Sequence, residues 1–116
     1  MANNLDAMDA SYEFDQEQKC LVMNEKGIDK IDPQFLTRFD HDFLKNVVCL
    51  DLSGNKIKHI AAGTFESLIN LKVLKLQNNC LEFVASGIFG PVTKRKQLHT
   101  IDLSFNRLKV DYPKPL

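Results

Sequence analysis

The sequence predicts an α/β solenoid, with a parallel β-sheet on its concave side and short helical or irregular returns on its convex side. Three observations carry this. Val47 to Ile57, Leu71 to Leu81 and Leu98 to Leu108 superimpose on one pattern, L-x-x-L-x-L-x-x-N-x-L, with Asn55, Asn79 and Asn106 at its Asn. Within each copy two aliphatics flank a polar or small residue (Leu50 and Leu52, Leu74 and Leu76, Ile101 and Leu103), the period of a strand with one buried face. Between the copies, Ala61 to Leu68 and Ala85 to Val92 match each other with Gly, Phe and an aliphatic at equal spacing.

One such strand cannot bury its apolar face alone, but a neighbour of the same pattern covers it, so the copies stack in parallel along a curved solenoid. The Asn follows the strand where the chain turns inward. Its amide offers donors and an acceptor to backbone groups that would otherwise be buried unpaired, which no aliphatic can do. The pattern resembles the leucine-rich repeat, and the G-x-F-x-x-L return is similar to the subtype with a 24-residue period that is most common in extracellular receptors. Val47 to Leu71 keeps that period, whereas Leu71 to Leu98 is three residues longer, the excess falling in Thr93 to Gln97. The resemblance implies a non-catalytic module that binds another protein through the concave sheet.

Taken in order, residues 1 to 10 are acidic and small-residue rich and are expected to form a flexible tail. Residues 11 to 46 are expected to be an N-terminal cap grading into an incomplete first repeat. Tyr12 and Phe14, then Leu21 and Met23, alternate with polar residues as a hairpin does, and Leu21, Met23 and Ile28 fall where Leu50, Leu52 and Ile57 fall. Lys26 takes the Asn position, because an edge repeat has less need of the buried amide. Met23 to Ile28 also looks like the cap of receptor repeats, with Met23 where a cysteine would stand. Asp32 and Pro33 predict the N-cap and first position of a short helix with Phe35 and Phe39 on one face. Asp40 to Asn46 extends that return with Phe43 or Leu44 inward. Phe65 and Phe89 should stack beneath the convex side. Residues 47 to 110 make up the repeats and 111 to 116 a C-terminal tail.

The chain of 116 residues has a formal net charge of zero, although residues 1 to 17 hold five acids and no Lys or Arg. This balance gives no support to nucleic-acid binding. No apolar run is long enough to span a membrane. Cys20, Cys49 and Cys80 are an odd, sparse set, and the N terminus shows no secretory signal, so the expectation is three free thiols and a cytoplasmic setting, with extracellular as the alternative. Cys20 and Cys49 nonetheless align on adjacent strands.

Asp40, His41 and Asp42 sit in a row, but consecutive loop residues diverge, and His59 and His99 fall elsewhere in the repeats. No catalytic constellation, phosphate loop or metal-spaced cysteine set is visible, so neither enzyme nor cofactor is expected. Lys94, Arg95 and Lys96 read as a solvated loop tip. The informative surface is the concave face. Its outward positions form three rows: Cys20, Cys49, Val73, Thr100; then Val22, Asp51, Lys75, Asp102; then Asn24, Ser53, Gln77, Ser104. The middle row alternates in sign, as a ladder of lateral charge pairs would. Phe105 adds an aromatic where other repeats have Gly54 and Asn78. The expected partner-binding residues are Asp51, Ser53, Val73, Lys75, Gln77, Thr100, Asp102, Ser104 and Phe105, and the partner is another protein. The alternatives are the N-terminal part of a longer receptor or adaptor, and an RNA-associated repeat module. At the C-terminal end no return carries a third Phe, so Leu103, Leu108, Val110 and Tyr112 are expected to be partly wet, and a second copy, a partner or further repeats to cover them.

Overall fold

The computed structural model describes residues 12–85, 87–90 and 98–109. The chain folds as a leucine-rich-repeat-type solenoid. Five short strands form one sheet in chain order: β1 (Glu13–Asp15), β2 (Cys20–Val22), β3 (Cys49–Asp51), β4 (Val73–Lys75) and β5 (Thr100–Asp102). β1 pairs antiparallel with β2 as the predicted hairpin, and the other pairings are parallel. Leu21, Leu50, Leu74 and Ile101 lie opposite one another, the register that the pattern demands. A slip of one residue would turn every one of these aliphatics to solvent.

Leu21, Met23, Leu50, Leu52, Leu74 and Leu76 are wholly buried, and each stabilises the fold by about 1.5 to 3 kcal/mol. The Asn residues work between repeats. Asn55 Oδ1 accepts from the Lys26 and Ile28 amides of the preceding repeat (2.9 and 3.0 Å), and its Nδ2 donates to the carbonyls of Met23 and Leu52. Asn79 accepts from Ile57 N–H (3.1 Å) and donates to Leu52 and Leu76 carbonyls; Asn106 accepts from Leu81 N–H (2.9 Å) and donates to Leu76 and Leu103. Because each Asn serves the repeat before it, the first repeat has nothing to serve, and Lys26 stands there exposed.

The cap is aromatic. Tyr12 meets Phe39 edge-on at 5.3 Å, Phe14 meets Phe43 at 5.0 Å, and Phe39 stacks on Phe43 at 5.3 Å. The predicted helix after Asp32 forms, but as a 3₁₀ turn over Pro33–Leu36, with Asp32 capping the Gln34 amide. This corrects the expected face. With three residues per turn, Leu36 and Phe39 eclipse and are buried, while Phe35 swings out to half-burial beside Arg38. The following α1 (His41–Lys45) buries Leu44 and leaves Phe43 half-buried against the aromatic cluster. On the return side Phe65 is fully buried, and the ring of Phe89 lies 6.0 Å from it, as the matched spacing predicts.

The thiols depart from expectation. Cys20 and Cys49 are joined by a disulfide and only Cys80 is free. They are directly paired residues of adjacent parallel strands with Cα atoms 4.3 Å apart, both buried on the same face of the sheet, so the register itself brings the sulfurs together. The two ends of the sheet also differ. At the C-terminal end Ile101 and Leu108 are each 42% exposed, where the corresponding Leu74 and Leu81 are at zero. Val110 and Tyr112, the tails, and Lys94 to Lys96 lie outside the described residues.

Two outcomes follow. Asn79→Ala strands an amide and two carbonyls, and should cost about 3 kcal/mol or more in denaturant unfolding, whereas Lys75→Ala should cost less than about 1 kcal/mol. Thiol titration in denaturant without reductant should find one free thiol per chain, and reduction should destabilise the fold by roughly 3 to 4 kcal/mol through the 29-residue loop it opens.

Candidate protein-binding face

Strand register sets the concave rows. Cys49, Val73 and Thr100 lie side by side, as do Asp51, Lys75 and Asp102. Ser53, Gln77 and Ser104 continue the same face, tied across by Gly54 N–H to Gln77 O (3.1 Å) and Asn78 N–H to Ser104 O (3.0 Å). The first row begins with the buried Cys20–Cys49 bridge, so its open part starts at half-buried Val73 and exposed Thr100.

The middle row is not the ladder of charge pairs that its alternating signs suggested. Asp51 Oδ1 accepts from both the amide and the hydroxyl of Ser53 (3.0 and 2.7 Å), and Asp102 Oδ1 does the same with Ser104 (3.0 and 2.6 Å). Among the described residues no ion pair joins Lys75 to either carboxylate. The reason is local: an Asp two residues before a Ser reaches two donors on its own strand without fixing a long Lys side chain. Hydrogen bonds from the Ser104 hydroxyl and amide hold the Asp102 carboxyl below the usual carboxylate range, with a smaller contribution from Lys75. Lys75 is therefore left with its ammonium free to meet an incoming group. Beside it Gln77 Oε1 is buried without a hydrogen-bond partner among the described residues.

The lower rim has a repeating backbone feature. Glu25, Gly54, Asn78 and Phe105 all have left-handed backbones, with φ of 54°, 70°, 60° and 57°. Gly54 answers this at no steric cost and also makes room, since a Cβ there would meet Glu25 Cγ at 2.8 Å. Phe105 does neither. It is an aromatic in a conformation that L-residues avoid, and it is 79% exposed.

Of the histidines, His99 Nδ1 lies 2.9 Å from its neighbour Thr100 Oγ1, and His59 packs its ring 5.0 Å from Phe83. No three His, Cys, Asp or Glu residues are grouped to hold a metal among the described residues. No helix among them is long and apolar enough to cross a membrane. Sequence reasoning missed a depression of about 440 Å³ outside the sheet face, between Asp29 to Asp32, His59 to Ala62, and Phe83. The one signal for it was the alignment of small residues, Ala61 over Ala85, beside the aligned His59 and Phe83.

The Asp102 geometry gives a sign. Ser104→Ala removes the side-chain donor and should raise the Asp102 pKa toward its ordinary value, read by carboxyl NMR titration. Because the folded pKa is the lower one, the contribution of this contact is present above the unfolded Asp pKa of about 3.9 and is lost as pH falls through the folded value. An unchanged titration in Ser104→Ala would mean that Ser104 does not hold the carboxylate.

Known proteins share this arrangement. The leucine rich repeat family model matches residues 45–108. Lumican of Coturnix japonica is 46% identical over 59 residues, covering 51% of this chain and 17% of that protein. A leucine-rich repeat and fibronectin type III domain-containing protein 1-like protein of Danio rerio is 37% identical over 75 residues, covering 65% of this chain and 10% of that protein. The chain thus spans less than a fifth of the length of these relatives. Among solved structures, a complex of TLR13 with ssRNA13 aligns with a TM-score of 0.65 and 31% identity over 80% of this chain and 12% of that one. Human 5T4, a trophoblast glycoprotein, aligns with a TM-score of 0.66 at 24% identity over 89% of this chain and 35% of that one, a likeness of fold. With its three in-register copies, its Asn series bonded between repeats and a family match over more than half its length, the chain belongs to the leucine-rich-repeat family.

Proposed function

We propose that this chain is a non-catalytic module that binds another protein through its concave face, with Phe105 as the anchor and Lys75, Gln77, Asp51, Asp102 and the row from Val73 to Thr100 around it. The observation that carries the reading is the cost of Phe105. A left-handed backbone disfavours an L-residue by roughly 1 to 2 kcal/mol, and an aromatic this exposed recovers little of that within its own chain. Exposed aromatics are frequent interface anchors, and strain of this kind gathers at functional positions. Ser53 and Ser104 contribute by holding the aspartates in place, so that the partner meets ordered carboxylates with a free Lys75 between them.

An RNA-binding reading draws on the neighbour solved with ssRNA13. The middle row opposes it, since two aspartates flank one lysine where a phosphate backbone requires net positive charge. The Cys20–Cys49 bridge supports an oxidising setting, the extracellular alternative, over the cytoplasmic one. The much longer relatives support a place within a larger receptor or adaptor.

Phe105→Gly separates stability from binding. Glycine is at ease at this φ, so the variant should gain about 1 kcal/mol in denaturant unfolding while losing the protein that the parent chain captures. Lys75→Glu with Phe105→Ala should also lose it and stay folded. Capture that survives these changes but is lost on altering Lys94, Arg95 and Lys96 would move the site to the convex loop.

A further inference from the structure

The depression beside the sheet is built by the segments that follow the Asn turns. Successive repeats hold these segments together: Ile31 bridges Ile60 in parallel, Lys56 N–H donates to Ile28 O (2.8 Å), and Cys80 N–H to Ile57 O (2.9 Å). Equivalent residues therefore fall in lateral rows. Ile31 and Ile60, both buried, form the floor. Lys30, His59 and Phe83 form one wall, and Asp32, Ala61 and Ala85 the other. The second wall is cut down to methyl groups at Ala61, Ala62 and Ala85, which is what opens about 440 Å³ along the groove, a volume within the range of ligand sites.

The two ends of the groove differ chemically. At the far end Phe83 is 54% exposed, and its ring is steadied by His59 at 5.0 Å, so a large apolar surface stands ordered in water. At the near end the lining carries two carboxylates, Asp29 and Asp32, and one ammonium, Lys30. One oxygen of Asp32 is taken by the Gln34 amide, and Asp29 has no hydrogen-bond partner among the described residues. A ligand that matches both ends has an apolar, preferably aromatic, body and a cationic head. The ends belong to the first and third repeats, roughly 10 Å apart at the spacing of parallel strands, a span within the combined reach of a Phe and an Arg side chain on neighbouring residues, whose Cα atoms are about 3.8 Å apart.

We propose that this groove binds a peptide segment of a partner protein in which an aromatic residue is followed directly by a basic one, the backbone turned so that both side chains enter the groove. The ring lies on Ile60, Ala61 and Ala62 against Phe83, and the cation sits at Asp29 and Asp32. This site is separate from the concave face and does not depend on the role of Phe105.

The probe is N-acetyl-Phe-Arg-amide, titrated into the full chain with labelled Ala and Ile methyl groups and followed by NMR. Saturable shifts are expected at Ile60, Ala61, Ala62 and Ala85, with N-acetyl-Phe-Glu-amide and N-acetyl-Ala-Arg-amide binding about fivefold or more weakly. Asp29→Asn with Asp32→Asn should erase the preference for Arg over Glu, and Asn at position 32 still caps the 3₁₀ turn, so the fold is kept. Ala62→Trp should block the groove, and Phe105→Gly should bind the peptide unchanged. Equal binding of the Phe-Glu peptide, no saturable shift at millimolar Phe-Arg peptide, or shifts at the concave strands instead of the groove would each overturn the proposal.

Discussion

The rest of the structure depends on the hydrogen bonds of three asparagines, two of them buried and the third half-buried. Where a strand ends and the chain turns under it, carbonyls and amides point into an apolar interior, and each unpaired group would cost about 1 to 3 kcal/mol. Asn55, Asn79 and Asn106 answer this for their own strand and for the one before, each donating to carbonyls of two successive repeats. No repeat is complete without its successor. That is why the sheet holds one register from Cys20 to Asp102.

The same device sets the rim. The residue just before each Asn takes up a left-handed backbone as the amide turns inward, which places Gly54, Asn78 and Phe105 in equivalent positions. Phe105 is therefore strained because Asn106 is needed. In the role proposed for it, Phe105 would meet a partner with its backbone already fixed by the turn, so less conformational freedom would remain to be lost on binding. At the ends of β3 and β5, Asp51 and Asp102 accept from the serines two residues on, and Lys75 lies between them with no ion pair to either among the described residues.

The two ends of the sheet are unlike. The N-terminal end is closed by an antiparallel β1 and by the cluster of Tyr12, Phe14, Phe39 and Phe43, which covers the incomplete repeat as a return would. At β5 the row of aliphatics that is fully buried in the interior repeats becomes half wet at Ile101 and Leu108. Burial here is a property of neighbours and not of residue type: the same pattern position is dry or wet according to what stacks beside it.

The repeats were legible in the sequence because each is a local pattern, a strand of period two and an Asn at fixed distance, that survives without knowledge of its neighbours. The neighbouring rings of Phe65 and Phe89 and the helical capping role of Asp32 were legible on the same ground. What the sequence left open was whatever depends on sub-turn rotation or on side chains from different repeats. A 3₁₀ turn in place of an α-turn moved Leu36 inward and Phe35 out. Direct pairing of Cys20 with Cys49 turned two expected thiols into a bridge, and Ser53 and Ser104 drew the aspartates away from Lys75. The groove of Ala61, Ala62, His59 and Phe83 exists only once three repeats are laid side by side. The sequence by itself determined the solenoid and its register, since period and Asn spacing are written along the chain. The disulfide, the carboxylate partners and the groove were decided by tertiary structure, because contacts across repeats depend on distances of a few ångströms that no one-dimensional pattern encodes.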